Sequence, residues 1–212
     1  MRDERPTLLV GTTNAGKIHE MRELLAELPA RIVFPGDLGL DMDVAEGETS
    51  FAANAAIKAR AYRRASGLLT IGEDSGFEVD ALDGQPGVIS ARWEGSDYAV
   101  KNQIVIERVN ARPDAGRGCR YVSVLAIATL DGRLFQRTGA CRGLVADAPV
   151  GTGGFGYDPI FFFPRLSRTM AQLSQDEKAS VSHRGEAVRK ALPLLHALLA
   201  DRSAIGSTGS RS

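Results

Sequence analysis

The sequence predicts an α/β protein built on a mixed sheet, and three observations carry that prediction. Short apolar runs alternate with amphipathic segments through the first third of the chain. A glycine-bearing turn, Gly11 to Lys17, joins the first apolar run to the first helical segment. Later, Tyr121–Thr129 and Arg133–Val145 flank Asp131-Gly132, a pair that favours a tight hairpin.

Taken in order, Leu8 to Val10 reads as a short buried strand. Lys17 to Leu28 reads as a helix with Ile18, Met21, Leu24, Leu25 and Leu28 on one stripe. Thr13 or Asn14 would cap it, and Pro29 follows its end. Arg31 to Phe34 is a second strand, followed by a loop rich in Asp and Gly. Thr49 or Ser50 would cap a helix that runs to about Ser66 and is ended by Gly67. Leu68 to Gly72 is a strand entering Glu73-Asp74-Ser75-Gly76, and Phe77 to Leu82 alternates before the Asp83-Gly84 turn. Tyr98 to Asn110 has helical spacing, whereas Arg112 to Gly118 has loop composition. Gly151 to Asp158 is a glycine-rich loop leading into the strand Ile160 to Phe163. The last helix is expected from near Ser182 to about Ala200, with a kink at Pro193. Residues 1–201 read as one domain, and the Ser/Gly-rich stretch 202–212 as a disordered tail.

With 212 residues, the chain suffices for one compact domain or two tightly joined lobes. Lys+Arg and Asp+Glu both number 26, so no basic excess exists to coat a nucleic-acid polymer. No apolar run approaches a membrane span, and no signal peptide opens the chain. Cys119 and Cys141 read as free thiols in a reducing cytoplasm. Only five of the basic residues are lysines, Lys17, Lys58, Lys101, Lys178 and Lys190. A compact ammonium on a flexible stem suits a shifting phosphate, whereas Arg offers a planar fork.

Five segments carry candidate chemistry. The opening turn reads G-x-x-x-x-G-K, but Ile18 follows Lys17 where a P-loop needs a hydroxyl for magnesium. Thr12, Thr13, Asn14, the amides of Ala15 and Gly16, and Lys17 can therefore meet phosphates but cannot hold the metal. In the second segment, Glu46-Gly47-Glu48 precedes a helix on which Asn54 and Lys58 share one face. Third, Glu73 and Asp74 are adjacent carboxylates at a strand end, costly to bury unless they meet a cation or donors. Asp74 is thus a candidate metal ligand and general base, and an Asx-turn bent at Gly76 is the structural alternative. The fourth is Gly154-Phe155-Gly156-Tyr157-Asp158, where glycines admit a flat ligand and an aromatic offers a stacking face. Lys178 and Ser182-His183-Arg184 form the fifth. His19 and His196 lack metal-like spacing and read as structural.

Taken together, T-x-N-x-x-K (Thr12–Lys17), N-A-x-x-K-A (Asn54–Ala59), E-D-S-G (Glu73–Gly76), P-G-x-x-S-A-R-W (Pro86–Trp93), G-F-G-Y-D-P-x-F (Gly154–Phe161) and S-H-R (Ser182–Arg184) resemble one family in order. The chain resembles the non-canonical purine nucleoside triphosphate pyrophosphatases, also called inosine/xanthosine triphosphate pyrophosphatases, from about residue 8 to 200. The resemblance implies an elongated mixed sheet with flanking helices, forming two lobes around a central cleft, and a homodimer. It implies Mg2+-dependent hydrolysis of ITP, dITP and XTP to the monophosphate and pyrophosphate. By position, Thr12 to Lys17 would grip phosphates with Lys58 and Lys178 beside them. Asp74 would be base and metal ligand, and Ser75 a substrate contact. Phe155, Gly156, Tyr157, Asp158, His183 and Arg184 would form the base pocket. Counting back from Asn54 makes Glu46 the second metal ligand, or Glu48 if the alignment carries a gap. The segment Glu94 to Gly118 departs from the family pattern and is short.

Overall fold

A computed structural model of the chain describes residues 5–45, 47 and 50–201. Glu46 and Glu48, between which the sequence left the second metal ligand, lie outside the described residues, as do Thr49 and the tail from 202. The strands form one seven-stranded sheet in the order β2-β1-β3-β4-β5-β6-β7. Parallel and antiparallel pairs both occur, so the α/β class with a mixed sheet is borne out. The chain divides into two compact units, and one boundary between them falls inside β3, between Asp74 and Ser75.

In the first unit, β1 (Thr7–Gly11) lies parallel to both β2 (Arg31–Val33) and β3 (Leu69–Val79). Its apolar run is continuous because both faces are covered. Leu8 and Val10 join a core with Met21, Leu25, Ile71, Leu125, Ile127 and Leu195, while Leu9 packs with Val33 and Tyr62. Helix α1 (Ala15–Leu24) starts two residues before the expected Lys17, because the Asn14 side chain accepts the Lys17 N–H at 3.0 Å and caps it. Helix α2 (Phe51–Ser66) is capped by Ser50, whose hydroxyl accepts the Ala53 N–H at 3.1 Å. It ends at Gly67 with φ of 66°.

Two glycines bring α2 against the sheet. Gly11 and Gly72 are register partners on β1 and β3. A Cβ on Gly72 would stand 2.3 Å from the Ala55 carbonyl oxygen and 2.4 Å from the Ala59 nitrogen. A Cβ on Gly11 would stand 2.5 Å from the Tyr62 ring. The missing side chains let the α2 backbone rest directly on β3 at Gly72 and the Tyr62 ring on β1 at Gly11.

The second unit has its own core of Phe77, Trp93, Val105, Tyr121, Tyr157 and Phe161. Phe77 stacks on Tyr157 at 4.9 Å and Tyr121 on Phe161 at 5.0 Å between ring centres. Helix α3 (Tyr98–Asn110) packs there, with the short antiparallel strands β6 (Phe161–Phe163) and β7 (Arg168–Thr169). Strands β4 (Gly118–Ala128) and β5 (Leu134–Val145) meet at the expected turn, where the Thr129 N–H donates to the Arg133 carbonyl at 3.0 Å. Cys119 and Cys141 are buried free thiols.

The structure departs from the sequence reading at two points. Glu73-Asp74-Ser75-Gly76 is no turn: β3 runs uninterrupted from Leu69 to Val79 and places both carboxylates mid-strand. Tertiary partners for those side chains override the turn-like composition. Helix α4 (Gln175–Val181) was unforeseen, although Ser174 and Glu177 form a capping box legible as S-x-x-E. Helix α5 (His183–Ala200) continues through Pro193. No helix among the described residues is long and apolar enough to cross a membrane.

Candidate active site

Adjacent residues on a strand point to opposite faces, so β3 delivers Glu73 and Asp74 to different helices. Lys17 on α1 reaches Glu73 Oε2 at 2.8 Å. On the α2 side, Lys58 Nζ donates to Asp74 Oδ1 at 2.9 Å and Asn54 Nδ2 to Asp74 Oδ2 at 3.3 Å. Lys58 also donates to the Glu73 carbonyl at 3.3 Å. The i,i+4 spacing of Asn54 and Lys58 is what allows one carboxylate to receive both. Burial pushes the Asp74 carboxyl above its usual range, Lys58 and then Lys17 pull it back, and Glu73 adds to the rise. Two carboxylates and two lysines are thus concentrated at the α1 and α2 faces of one strand.

The turn before α1 completes this group. Its four first-turn donors have no intrahelical acceptor. The Asn14 N–H goes to Thr12 Oγ1 at 3.3 Å and the Lys17 N–H to the Asn14 side chain. The Ala15 and Gly16 amides meet no acceptor among the described residues and lie at the positive end of the helix dipole. Thr13, Asn14 and Ala15 are exposed, whereas Thr12 is buried.

Phe155, Tyr157, His183 and Arg184 all lie in the second unit. Arg184, only 2% exposed, donates from its guanidinium to Ser75 Oγ at 3.1 Å and lies 5.6 Å from the Phe155 ring centre. His183 stacks flat on Tyr121 at 4.5 Å. Tyr121 was not anticipated, and nothing in its sequence context marks it. Asp158 and Lys178, also expected as substrate contacts, lie at the loop that carries Phe155. They pair with each other at 2.5 Å, and Asp158 also accepts the Phe155 N–H at 2.8 Å. A Cβ on Gly154 would fall 2.1 Å from Asp158 Oδ2, so the loop is wrapped around this ion pair. Lys178 and Asp158 therefore shape the loop that presents Phe155.

The helix carrying Lys178 is anchored by Arg168, whose guanidinium donates to both Glu177 oxygens at 2.7 and 3.2 Å. Hydrogen bonds from Arg168 and the Ser174 amide depress the Glu177 carboxyl to about 2, from an ordinary 4.5. A carboxylate with a depressed folded pKa stabilises fully above its unfolded pKa and loses that contribution as pH falls through the folded one. Arg168→Ala is therefore expected to lower the thermal midpoint at neutral pH, with the two proteins converging between about pH 4.5 and 2. A constant difference down to the acid end would remove this pair as an anchor.

The residues fit a hard divalent cation. Asp74 offers carboxylate oxygens, and beside it Asn54 Oδ1 is buried without a hydrogen-bond partner among the described residues. An orphaned buried acceptor next to a carboxylate is the donor set magnesium takes. Among the described residues no group of three acidic, histidine or cysteine side chains forms there.

Comparison with known proteins supplies an independent line. The Ham1 family model matches residues 8–194. A protein of Anaeromyxobacter dehalogenans named dITP/XTP pyrophosphatase is 44% identical, over 90% of this chain and 97% of its own length. One from Symbiobacterium thermophilum with the same name is also 44% identical, over 91% and 96%. A HAM1 protein structure from Coxiella burnetii superposes with a TM-score of 0.81 at 34% identity, covering 90% of this chain and 98% of that one. The nucleoside-triphosphatase/dITP/XTP pyrophosphatase of Mycobacterium abscessus does so at 0.70 and 39% identity, over 88% and 99%. With a family model matched over residues 8–194 and near full-length relatives at 44% identity, the chain belongs to the Ham1 family.

Proposed function

We propose that this protein hydrolyses deaminated purine nucleoside triphosphates, ITP, dITP and XTP, to the monophosphate and pyrophosphate, and so clears them from the nucleotide pool. The observation that carries the reading is Asp74. It is a buried carboxylate held by Lys58 and Asn54, one residue from the Glu73–Lys17 pair, in a chain whose relatives bear the name of that activity.

In this reading Asp74 accepts the proton of the attacking water, its raised pKa making it the stronger base. Lys17 and Lys58 turn from the carboxylates to the phosphates and neutralise charge on the leaving pyrophosphate. The Ala15 and Gly16 amides, with Thr12 and Thr13, hold phosphate oxygens. Asp74, with Asn54 Oδ1 and Glu46 from its place in the sequence, would hold Mg2+. When bound, the ion polarises phosphoryl oxygens and lowers the pKa of water.

The second unit reads the base. Phe155 offers a ring face, and Arg184 and the Gly156 N–H serve as donors toward O6 of a 6-oxo purine. The Phe155 amide is already engaged by Asp158. Adenine brings an amino group to the same place, setting donor against donor. An unpaired buried polar group costs roughly 1–3 kcal/mol, which is about 5- to 150-fold in rate.

The test is pyrophosphate release from ITP, XTP, ATP and dTTP with magnesium and with EDTA. ITP and XTP are expected to exceed ATP by about 5- to 150-fold, with activity lost in EDTA. Preference for dTTP would replace the purine reading with a pyrimidine one, and full activity in EDTA would remove the metal. The proposal also includes a cytoplasmic homodimer, which sedimentation would check against the 22.7 kDa chain.

A further inference from the structure

Helix α3 places Lys101 and Asn102 side by side, at 0% and 3% exposure, and the proposed mechanism uses neither. A buried ammonium ordinarily meets a carboxylate. Lys101 instead donates to two carbonyls, Ala91 at 2.6 Å and Ser90 at 3.4 Å, and lies 4.2 Å from the centre of the Tyr98 ring. Burial without an anion lowers its pKa. An ammonium kept under those conditions must return its desolvation cost through the groups it holds.

Those groups belong to the wall of the base pocket. The Ser90 carbonyl that Lys101 meets also accepts the Tyr157 hydroxyl at 3.0 Å. Tyr98, beneath the ammonium, meets Tyr157 edge-on at 5.3 Å. Asn102 donates to the Gly156 carbonyl at 3.2 Å. Ser90 Oγ in turn accepts the Phe77 N–H at 2.9 Å, and Phe77 stacks on Tyr157. Two stretches distant in sequence, 90–102 and 156–157, are thus tied together around one lysine.

We propose that Lys101 is a positioning residue for base recognition: it clamps the Ser90 and Ala91 carbonyls and, through Tyr157 and Tyr98, sets the Phe155–Gly156 backbone against the purine. The inference rests on the proposed function for the identity of the base. Its physical part stands on α3 alone. A side chain with three donors and a compact charge can hold two carbonyls and a ring together, where an apolar residue of equal volume cannot. A site built this way is held by a helix rather than by its own loop.

The test compares wild type with Lys101→Met, which keeps the stem and removes the ammonium. The expected result is a KM for ITP raised about tenfold with kcat within about twofold, and an ITP-over-ATP preference reduced by the same factor. Turnover of ribose 5-triphosphate, which has no base, is expected to stay unchanged. A lower thermal midpoint with wild-type KM and wild-type discrimination would make Lys101 a packing residue and overturn the proposal. If Lys101→Met does not fold, Tyr157→Phe removes the hydroxyl from the Ser90 carbonyl while keeping the ring. It should shift KM in the same direction by a smaller factor, and unchanged discrimination there overturns the proposal equally. Trp93, the single tryptophan, is 6% exposed and two residues beyond Ala91. Its acrylamide quenching is expected to rise about twofold in Lys101→Met as the segment loosens. If wild type releases no pyrophosphate from ITP, the function reading fails, and quenching alone decides the clamp: unchanged quenching overturns it, raised quenching upholds it.

Discussion

Asp74→Asn is expected to lower pyrophosphate release by about 10²- to 10⁴-fold while nucleotide affinity stays within a few-fold of wild type. The substitution is nearly isosteric. Its amide oxygen can still accept from Lys58, which now donates to Asp74 Oδ1 at 2.9 Å. What disappears is the ability to take a proton and the charge beside Lys58 and Lys17. A protein that only sensed nucleotides would lose nothing it needs, so the split between turnover and binding separates an enzyme from a sensor. Steady-state pyrophosphate release alongside equilibrium dialysis with ITP gives both numbers. Retained turnover would take the base role away from Asp74 and leave the buried carboxylate without a chemical reason.

Gly72→Ala is expected to cost about 1–3 kcal/mol of stability and a large part of the activity. The added methyl would press on the Ala55 carbonyl at 2.3 Å and the Ala59 nitrogen at 2.4 Å, both backbone atoms that cannot swing aside. Helix α2 would have to lift from β3, carrying Asn54 and Lys58 away from Asp74. Gly36→Ala is the control, since a Cβ there meets nothing within 4 Å. Urea unfolding of the two variants measures the contrast. Equal midpoints would mean that α2 does not depend on the bare strand at Gly72.

Much of the site was legible because its parts are local. The first turn could be recognised from Gly11 to Lys17, and the absent hydroxyl at Ile18 pointed to carboxylates elsewhere as candidate metal ligands. The pairing of Asn54 with Lys58 followed from helical spacing alone. The hairpin at Asp131-Gly132 followed from turn chemistry. Six motifs in order pointed to the family that the later comparisons support.

Where the sequence misled, the deciding partner was remote. Glu73-Asp74-Ser75-Gly76 has the composition of a turn. It becomes strand because Lys17 and Lys58, on two different helices, answer the two carboxylates from opposite faces. Asp158 and Lys178 pair with each other across the loop they shape, a contact that no local spacing marks. Lys101 carried no signal beyond being one of few lysines. Its role depends on carbonyls that only the packing of α3 brings to it. Local rules of spacing, capping and turn chemistry act within a few residues, so reading the chain alone determined most of the elements and the family resemblance, and singled out Asp74 as a candidate base. Which charges neutralise one another, and which loop a buried cation holds, depends on distances between segments, and only the tertiary structure decided those.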